Sequence, residues 1–200
     1  MDVRIDHVTT SGTFSLDGQT QDVINNSWVV GDAHECVIID APHDAWPILE
    51  LVGDRQVSAI LLTHGHDDHL GALGMLWDET GATIHLHGAD HMLWKRVYPD
   101  VSPDKYLFDG DTFAVGGIDI HTIHTPGHTP GSVCFYAPEL RSAFTGDTLV
   151  HGGPGKTGQS FSDSDMIVES VRNHLFTLAR DTVVHPGHGP ITTVEAEAAT

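Results

Sequence analysis

Strand-length apolar runs alternating with amphipathic stretches predict an α/β (α+β) chain of two packed β-sheets with helices outside. Two observations carry this expectation. A series of strands followed by a helical pattern occurs once before the midpoint and again after it. In addition, no linker, low-complexity block or solenoid-length repeat divides the 200 residues, so one domain over 1–200 is expected.

In the first series, strands are read at 3–8, 26–30, 36–40, 57–63 and 82–87. In the second they fall at 119–124, 132–136, 142–145 and 182–185. A helix is expected at 43–52, after Asp40-Ala41-Pro42, and another at 70–79, ended by Gly81. A third, at 91–97, stops before Pro99. The clearest spans 166–178, with Ser162 or Asp163 as its cap and Ile167, Val171, Leu175 and Leu178 as one apolar stripe.

Composition narrows the function classes. The formal net charge is −19, and the nine Lys and Arg are scattered, which argues against a nucleic-acid partner. No run approaches the ~20 apolar residues of a membrane helix. The N-terminal Met1-Asp2-Val3-Arg4-Ile5-Asp6 has no basic-then-apolar signal, so a cytoplasmic protein is expected. Cys36 and Cys134 sit in apolar runs without a Cys-x-x-Cys motif and read as buried thiols.

Chemistry concentrates where strands end. Thr63-His64-Gly65-His66-Asp67-Asp68-His69 begins just past Ile60-Leu61-Leu62, and His64 and His66 point the same way if that segment stays extended. His128 stands in Thr125-Pro126-Gly127-His128-Thr129-Pro130-Gly131, Asp147 in Gly146-Asp147-Thr148, and His188 in Pro186-Gly187-His188-Gly189. In both Pro-Gly-His segments, glycine permits the tight or left-handed turn that swings the imidazole over a strand end. Five imidazoles and two carboxylates suit two divalent ions with positions left for water. His64, His66 and His128 would hold one, Asp68, His69 and His188 the other, and Asp147 would bridge them. Zinc is the foremost candidate, and iron and manganese accept the same donors. His85, His87, His121, His124 and His185 are read as structural or surface residues. Trp94, Tyr98, Tyr106 and Phe108 are candidates for the pocket mouth, although packing is the commoner role of such aromatics.

This order and spacing resembles the metallo-β-lactamase-fold superfamily across nearly the whole chain. The resemblance implies a four-layered αββα sandwich of two mixed sheets, with two metals at one sheet edge. Thr125-Pro126-Gly127-His128-Thr129-Pro130-Gly131-Ser132 and Phe144-Thr145-Gly146-Asp147-Thr148-Leu149 look most like glyoxalase II (hydroxyacylglutathione hydrolase) and related short thioesterases. The zinc β-lactamases of the commonest subclasses carry a cysteine near position 147, and this chain does not. Glyoxalase II also has a C-terminal helical extension that holds glutathione, whereas twelve residues follow His188 here, so a different small thiol is expected.

The implied reaction is hydrolysis of a small-molecule thioester by metal-activated hydroxide, which Asp68 and Asp147 would orient. Gly152-Gly153-Pro154-Gly155-Lys156-Thr157-Gly158 lacks the phosphate-loop pattern, but glyoxalase II has a similar Gly-x-Gly-Lys step. Lys156 is therefore a candidate to attract a carboxylate of the thiol carrier. Two alternatives stay open. A persulfide dioxygenase would hold one iron at His64, His128 and Asp147, and a lactonase or phosphodiesterase would turn the same hydroxide on an ester. Acyl group, carrier and oligomeric state are not read from sequence.

Overall fold

The first sheet takes its shape from a run of residues apolar on both faces. In the computed structural model, which describes residues 3–199, Cys36-Val37-Ile38-Ile39 are completely buried within β3 (Glu35–Ile39). A strand apolar on both faces must be covered on both. β3 lies mid-sheet in the order β1 (Arg4–Leu16), β2 (Gln19–Gly31), β3, β4 (Gln56–Leu61), β5 (Thr83–His87) and β6 (Lys105–Leu107). The first three are antiparallel neighbours and the rest run parallel, joined by crossovers through α1 (Trp46–Val52), α2 (Leu73–Thr80) and α3 (His91–Val97).

The second sheet is also mixed. It comprises β7 (Thr112–Val115), β8 (Ile118–His124), β9 (Val133–Ala137), β10 (Ser142–Gly146), β13 (Val183–Pro186) and β14 (Thr192–Thr193), in spatial order β14-β13-β10-β9-β8-β7. A small hairpin, β11 (Leu149–Val150) with β12 (Gly153–Pro154), stands apart. Alternation sorts the side chains into layers. Val30, Val37, Ile39 and Leu61 face Ile120, Val133, Phe135 and Phe144 between the sheets. Val29, Ile38 and Ile60 turn outward onto Ile48, Leu73, Leu76 and Trp94. Behind the second sheet, Val184 and Cys134 meet Val171 and Leu175 beyond α4 (Ser164–Ser170). Helix, sheet, sheet, helix is the expected αββα arrangement.

Asp163, rather than Ser162, caps α4 by accepting from the backbone N–H of Asp165 and Met166. The apolar stripe continues through a π-helical segment, Val171–Leu175, before short α5 (Val194–Ala198) closes the described chain. Two helices start later than expected. His43 holds a positive φ of 44°, so α1 begins at Trp46, and a 3₁₀ turn at Asp67–His69 precedes α2. The largest difference is the β1–β2 hairpin, which extends far past the expected 3–8 and 26–30. Its paired stretch from Thr9 to Val23 is too polar to read as strand by alternation, yet Asp17 and Gly18 both take left-handed φ (54° and 74°) and close the two-residue turn. Both cysteines are buried and free. Among the described residues no helix is long and apolar enough to cross a membrane.

Topology delivers the strand ends to one edge. β13 runs parallel to β10, and β8 is antiparallel to β9, which is antiparallel to β10. The C-terminal ends of β8, β10 and β13 therefore lie together. Val133 N–H donates to Thr63 C=O at 2.8 Å, tying the end of the β4 segment in the other sheet to that edge.

Phe135, wholly buried between the sheets, is a suitable probe of this core. Phe135→Ala should cost about 3–5 kcal/mol, read as a lowered urea midpoint with an unchanged denaturant slope.

Candidate metal centre

The seven predicted donors meet at that edge. His64 and His66 follow the β4 segment, with His66 extended (φ −69°, ψ 147°), as the two-residue spacing requires. Asp68 and His69 lie in the 3₁₀ turn, His128 between β8 and β9, Asp147 just past β10, and His188 just past β13. His64, His66 and His128 form one triad and Asp68, His69 and His188 another, with donor atoms in each within 4.8 Å of one another. Asp147 stands between them. Its Oδ2 is 3.5 Å from His128 Nε2 and 3.4 Å from His188 Nε2, and its Oδ1 is 3.7 Å from His69 Nε2.

The imidazoles are aimed by hydrogen bonds behind them. Nδ1 of His128 donates to the Lys156 carbonyl at 2.8 Å, and Nδ1 of His188 to the Ile24 carbonyl at 2.8 Å. Nδ1 of His69 donates to Asp40 Oδ2 at 2.9 Å. Nδ1 of His64 donates to Thr63 Oγ1 at 3.1 Å, and that hydroxyl donates onward to Asp40. In the neutral imidazole each bond leaves Nε2 as an inward lone pair, the tautomer a cation needs. His66 is reversed, presenting Nδ1 at 3.0 Å from His64 Nε2 and 3.1 Å from His128 Nε2.

Such crowding of acceptors fits a cation. Asp68 Oδ1 and Asp147 Oδ1 are buried and have no hydrogen-bond partner among the described residues. Burial, then neighbouring imidazoles, pushes His64 well below the usual histidine range and His66 down to about 3. Burial also opposes charge on His69, but the Asp68, Asp40 and Asp147 carboxylates outweigh it and raise this imidazole to about 10. Burial disfavours ionised Asp68 too, yet His69, His188 and the Asn25 amide hold it well below the carboxylate range. The carboxylates remain charged, and a proton on His69 takes up the positive charge that a metal would supply. The chemistry of the donors therefore suits a dinuclear divalent centre.

Two buried carboxylates and an amide, unmarked by any motif, hold these donors. Asp40 (φ 60°) accepts from Thr63 N–H as well as from Thr63 Oγ1 and His69. Asp90, with no exposed surface, accepts from Gly65 N–H, Thr129 Oγ1 and Gly131 N–H, joining the loop of His64 and His66 to that of His128. Asn25 donates to Asp68 Oδ2 at 2.9 Å and accepts from His43 Nε2. The signal available in the sequence was a polar residue ending an apolar run, as Asp40 does after Val37-Ile38-Ile39.

The two Pro-Gly-His glycines differ in role. Gly127 takes a φ of 136°, as expected, and lets Ile167 approach closely. At Gly187 the requirement is space, because a Cβ there would stand 2.5 Å from Asp147 Oδ1 and 2.7 Å from His69 Cε1.

Beside the donors lies a cavity of about 380 Å³, walled by Phe14, Val23, Val150 and Pro190 with the polar Gln21, Lys156 and Gln159. Lys156 is exposed at its rim. The four aromatics considered for the mouth do not line it. Trp94 and Tyr98 border a separate outer cleft, and the wall comes instead from the unexpected hairpin. His85, His87, His121, His124 and His185 stand outside both triads, as read from the sequence.

The description Metallo-beta-lactamase superfamily matches residues 20–188. The chain belongs to the metallo-beta-lactamase superfamily. Within it, the chain is 31% identical over 188 residues to the hydroxyacylglutathione hydrolase GloC of Haemophilus influenzae, covering 86% of this chain and 89% of that one. Among solved structures it is similar to the BLEG-1 B3 metallo-beta-lactamase (28% identity, TM-score 0.80, 96% and 97% of the two chains). It is also similar to TTHA1623 in a di-iron-bound form (33%, TM-score 0.75, 88% and 93%). ETHE1 from Myxococcus xanthus is a further likeness (26%, TM-score 0.74, 93% and 80%).

Replacing Asp40 by Asn leaves one carbonyl acceptor where the carboxylate now takes three hydrogen bonds. Metal affinity should fall about 10–100-fold, measured by competition with a chromophoric chelator.

Proposed function

We propose that this chain is a metal-dependent hydrolase cleaving small acyl-thiol thioesters, with hydroxide as the nucleophile. The observation that carries the reading is the pair of triads flanking Asp147, set at the floor of a cavity large enough for a small ligand. His64, His66 and His128 would hold one divalent ion, Asp68, His69 and His188 the second, and Asp147 would bridge. Bound there, the two ions supply the acidity that makes hydroxide available near neutral pH and the charge that polarises a carbonyl.

The chain's own groups supply the rest. Asp68 and Asp147, ionised and hydrogen-bond acceptors only, orient the attacking oxygen by taking its proton in a hydrogen bond. Asn25 keeps Asp68 in place. Phe14, Val23 and Val150 offer the acyl group an apolar wall. Lys156, at the rim of the metal cavity, attracts a carboxylate where the acyl group or the near end of the carrier bears one. A thiol of pKa roughly 8.5 leaves largely as thiolate, so no protein acid is required at that step.

Zinc is the expected metal, and the di-iron form of the similar TTHA1623 supports iron as a second candidate. The likeness to GloC supports the thioester class. For a one-iron persulfide dioxygenase, His64, His128 and Asp147 would suffice. Asp68, His69 and His188, a second full triad, favour the paired site over that reading.

Protein purified without added metal should carry about two divalent ions per chain by elemental analysis. It should hydrolyse S-lactoyl thioesters, and Asp147→Ala should lose the paired site and about three orders of magnitude in kcat/KM. Thioesterase activity surviving exhaustive chelation would falsify the mechanism. Oxygen uptake with glutathione persulfide by iron-containing protein would select the dioxygenase instead.

A further inference from the structure

A second cavity, of about 290 Å³, adjoins the metal cavity and shares Phe14, Gln21 and Gln159 with it. It lies under the tip of the β1–β2 hairpin. Phe14 faces Gln21 across the two strands and Leu16 faces Gln19, so all four side chains project from one face of the ribbon. One strand thus offers an apolar pair and the other an amide pair. The step from Phe14 to Leu16 carries this strip about 7 Å away from the metal donors. Gly158 and Gln159 form the opposite wall. The tip is fastened on both sides. Asp17 Oδ2 accepts from Ser160 N–H at 2.8 Å, and Ser15 N–H donates to the Asp67 carboxylate at 3.2 Å.

We infer that this groove receives the distal arm of the thiol carrier, and that the arm is uncharged and rich in amides or hydroxyls. The inference rests on the thioesterase reading and specifies its substrate class. Three glutamine side chains, Gln19, Gln21 and Gln159, each donate and accept, which matches neutral hydrogen-bonding groups. Among the described residues no Lys or Arg lines the groove, and its one charged group is the Asp17 carboxylate. Arg96 acts on Asp17 electrostatically but does not line the groove. A carboxylate or phosphate carried this far would meet a like charge and no cation, while Lys156 serves only the first cavity.

Four S-lactoyl esters separate the possibilities in the metal-loaded full chain: pantetheine (neutral, with amides and hydroxyls), coenzyme A (the same arm ending in phosphates), glutathione (an arm with carboxylates) and N-acetylcysteamine (no arm). The pantetheine ester should have the highest kcat/KM, and S-lactoylglutathione should fall below it. Gln19→Ala should lower the pantetheine to N-acetylcysteamine ratio about fivefold, the loss of one net hydrogen bond, through KM rather than kcat. A preference for coenzyme A or glutathione, or equal losses on both esters in the variant, would overturn the assignment. Calorimetric binding of S-methylpantetheine, a thioether with no thioester bond to cleave, keeps the two readings apart. Binding that weakens in Gln19→Ala while no thioester turns over rejects the hydrolase and retains the groove. Absent binding rejects the groove, whatever the turnover.

Discussion

Donors from two sheets can share one small volume only if the sheet ends are fastened to each other, and the fastening here is polar and buried. Val133 N–H reaches Thr63 C=O across the edge, and two carboxylates complete the joint. Asp40 gathers Thr63 and His69, while Asp90 gathers Gly65, Thr129 and Gly131. Each is buried, and each has hydrogen-bond donors aimed at it. A buried carboxylate is tolerable on those terms alone. Asp40 also keeps a left-handed backbone, strain of the kind that persists where surrounding contacts over-determine it.

That frame allows the centre to concentrate lone pairs. Imidazole nitrogens 3.0–3.1 Å apart around His66 and unpartnered oxygens on Asp68 and Asp147 make an arrangement that costs free energy without a positive charge. The raised His69 imidazole is one response of the bare protein, and a divalent ion is a better one. Stability and metal affinity are therefore coupled through the same few groups. The outward hydrogen bonds of the histidines serve both, because each satisfies a buried N–H and fixes the inward nitrogen.

The hairpin shapes the space in front of the candidate centre. β2 pairs with β3 only from Trp28 to Gly31, so the distal half of the ribbon leaves the sheet and overhangs the candidate donors. It carries no donor in either triad. It contributes Phe14, Gln21 and Val23 to the cavity, and its tip docks on Ser160. The chemistry belongs to the strand ends, and the shape of the space before them belongs to this ribbon and the loop of Lys156.

The donors themselves were legible in the amino-acid order, since His-x-His-x-Asp-His after an apolar strand leaves few alternatives for that many polar groups. The layered fold was legible for a similar reason. Burial on one or both faces leaves a periodicity in the chain, and most strands and helices lay close to where it placed them. The hairpin was not, because its exposed, polar residues bear no such imprint and only Asp17-Gly18 betrayed the turn. Asp90 and Asn25 were equally silent, and Asp40 was marked only by its place at the end of an apolar run. A single carboxylate or amide acquires meaning from the N–H groups that converge on it, and those come from residues up to 41 positions away. Local order along the chain marked which residues could serve as metal donors, whereas tertiary packing decided how they are aimed and what space lies before them. Periodic burial is written locally, but convergent hydrogen bonding exists only after the chain has folded.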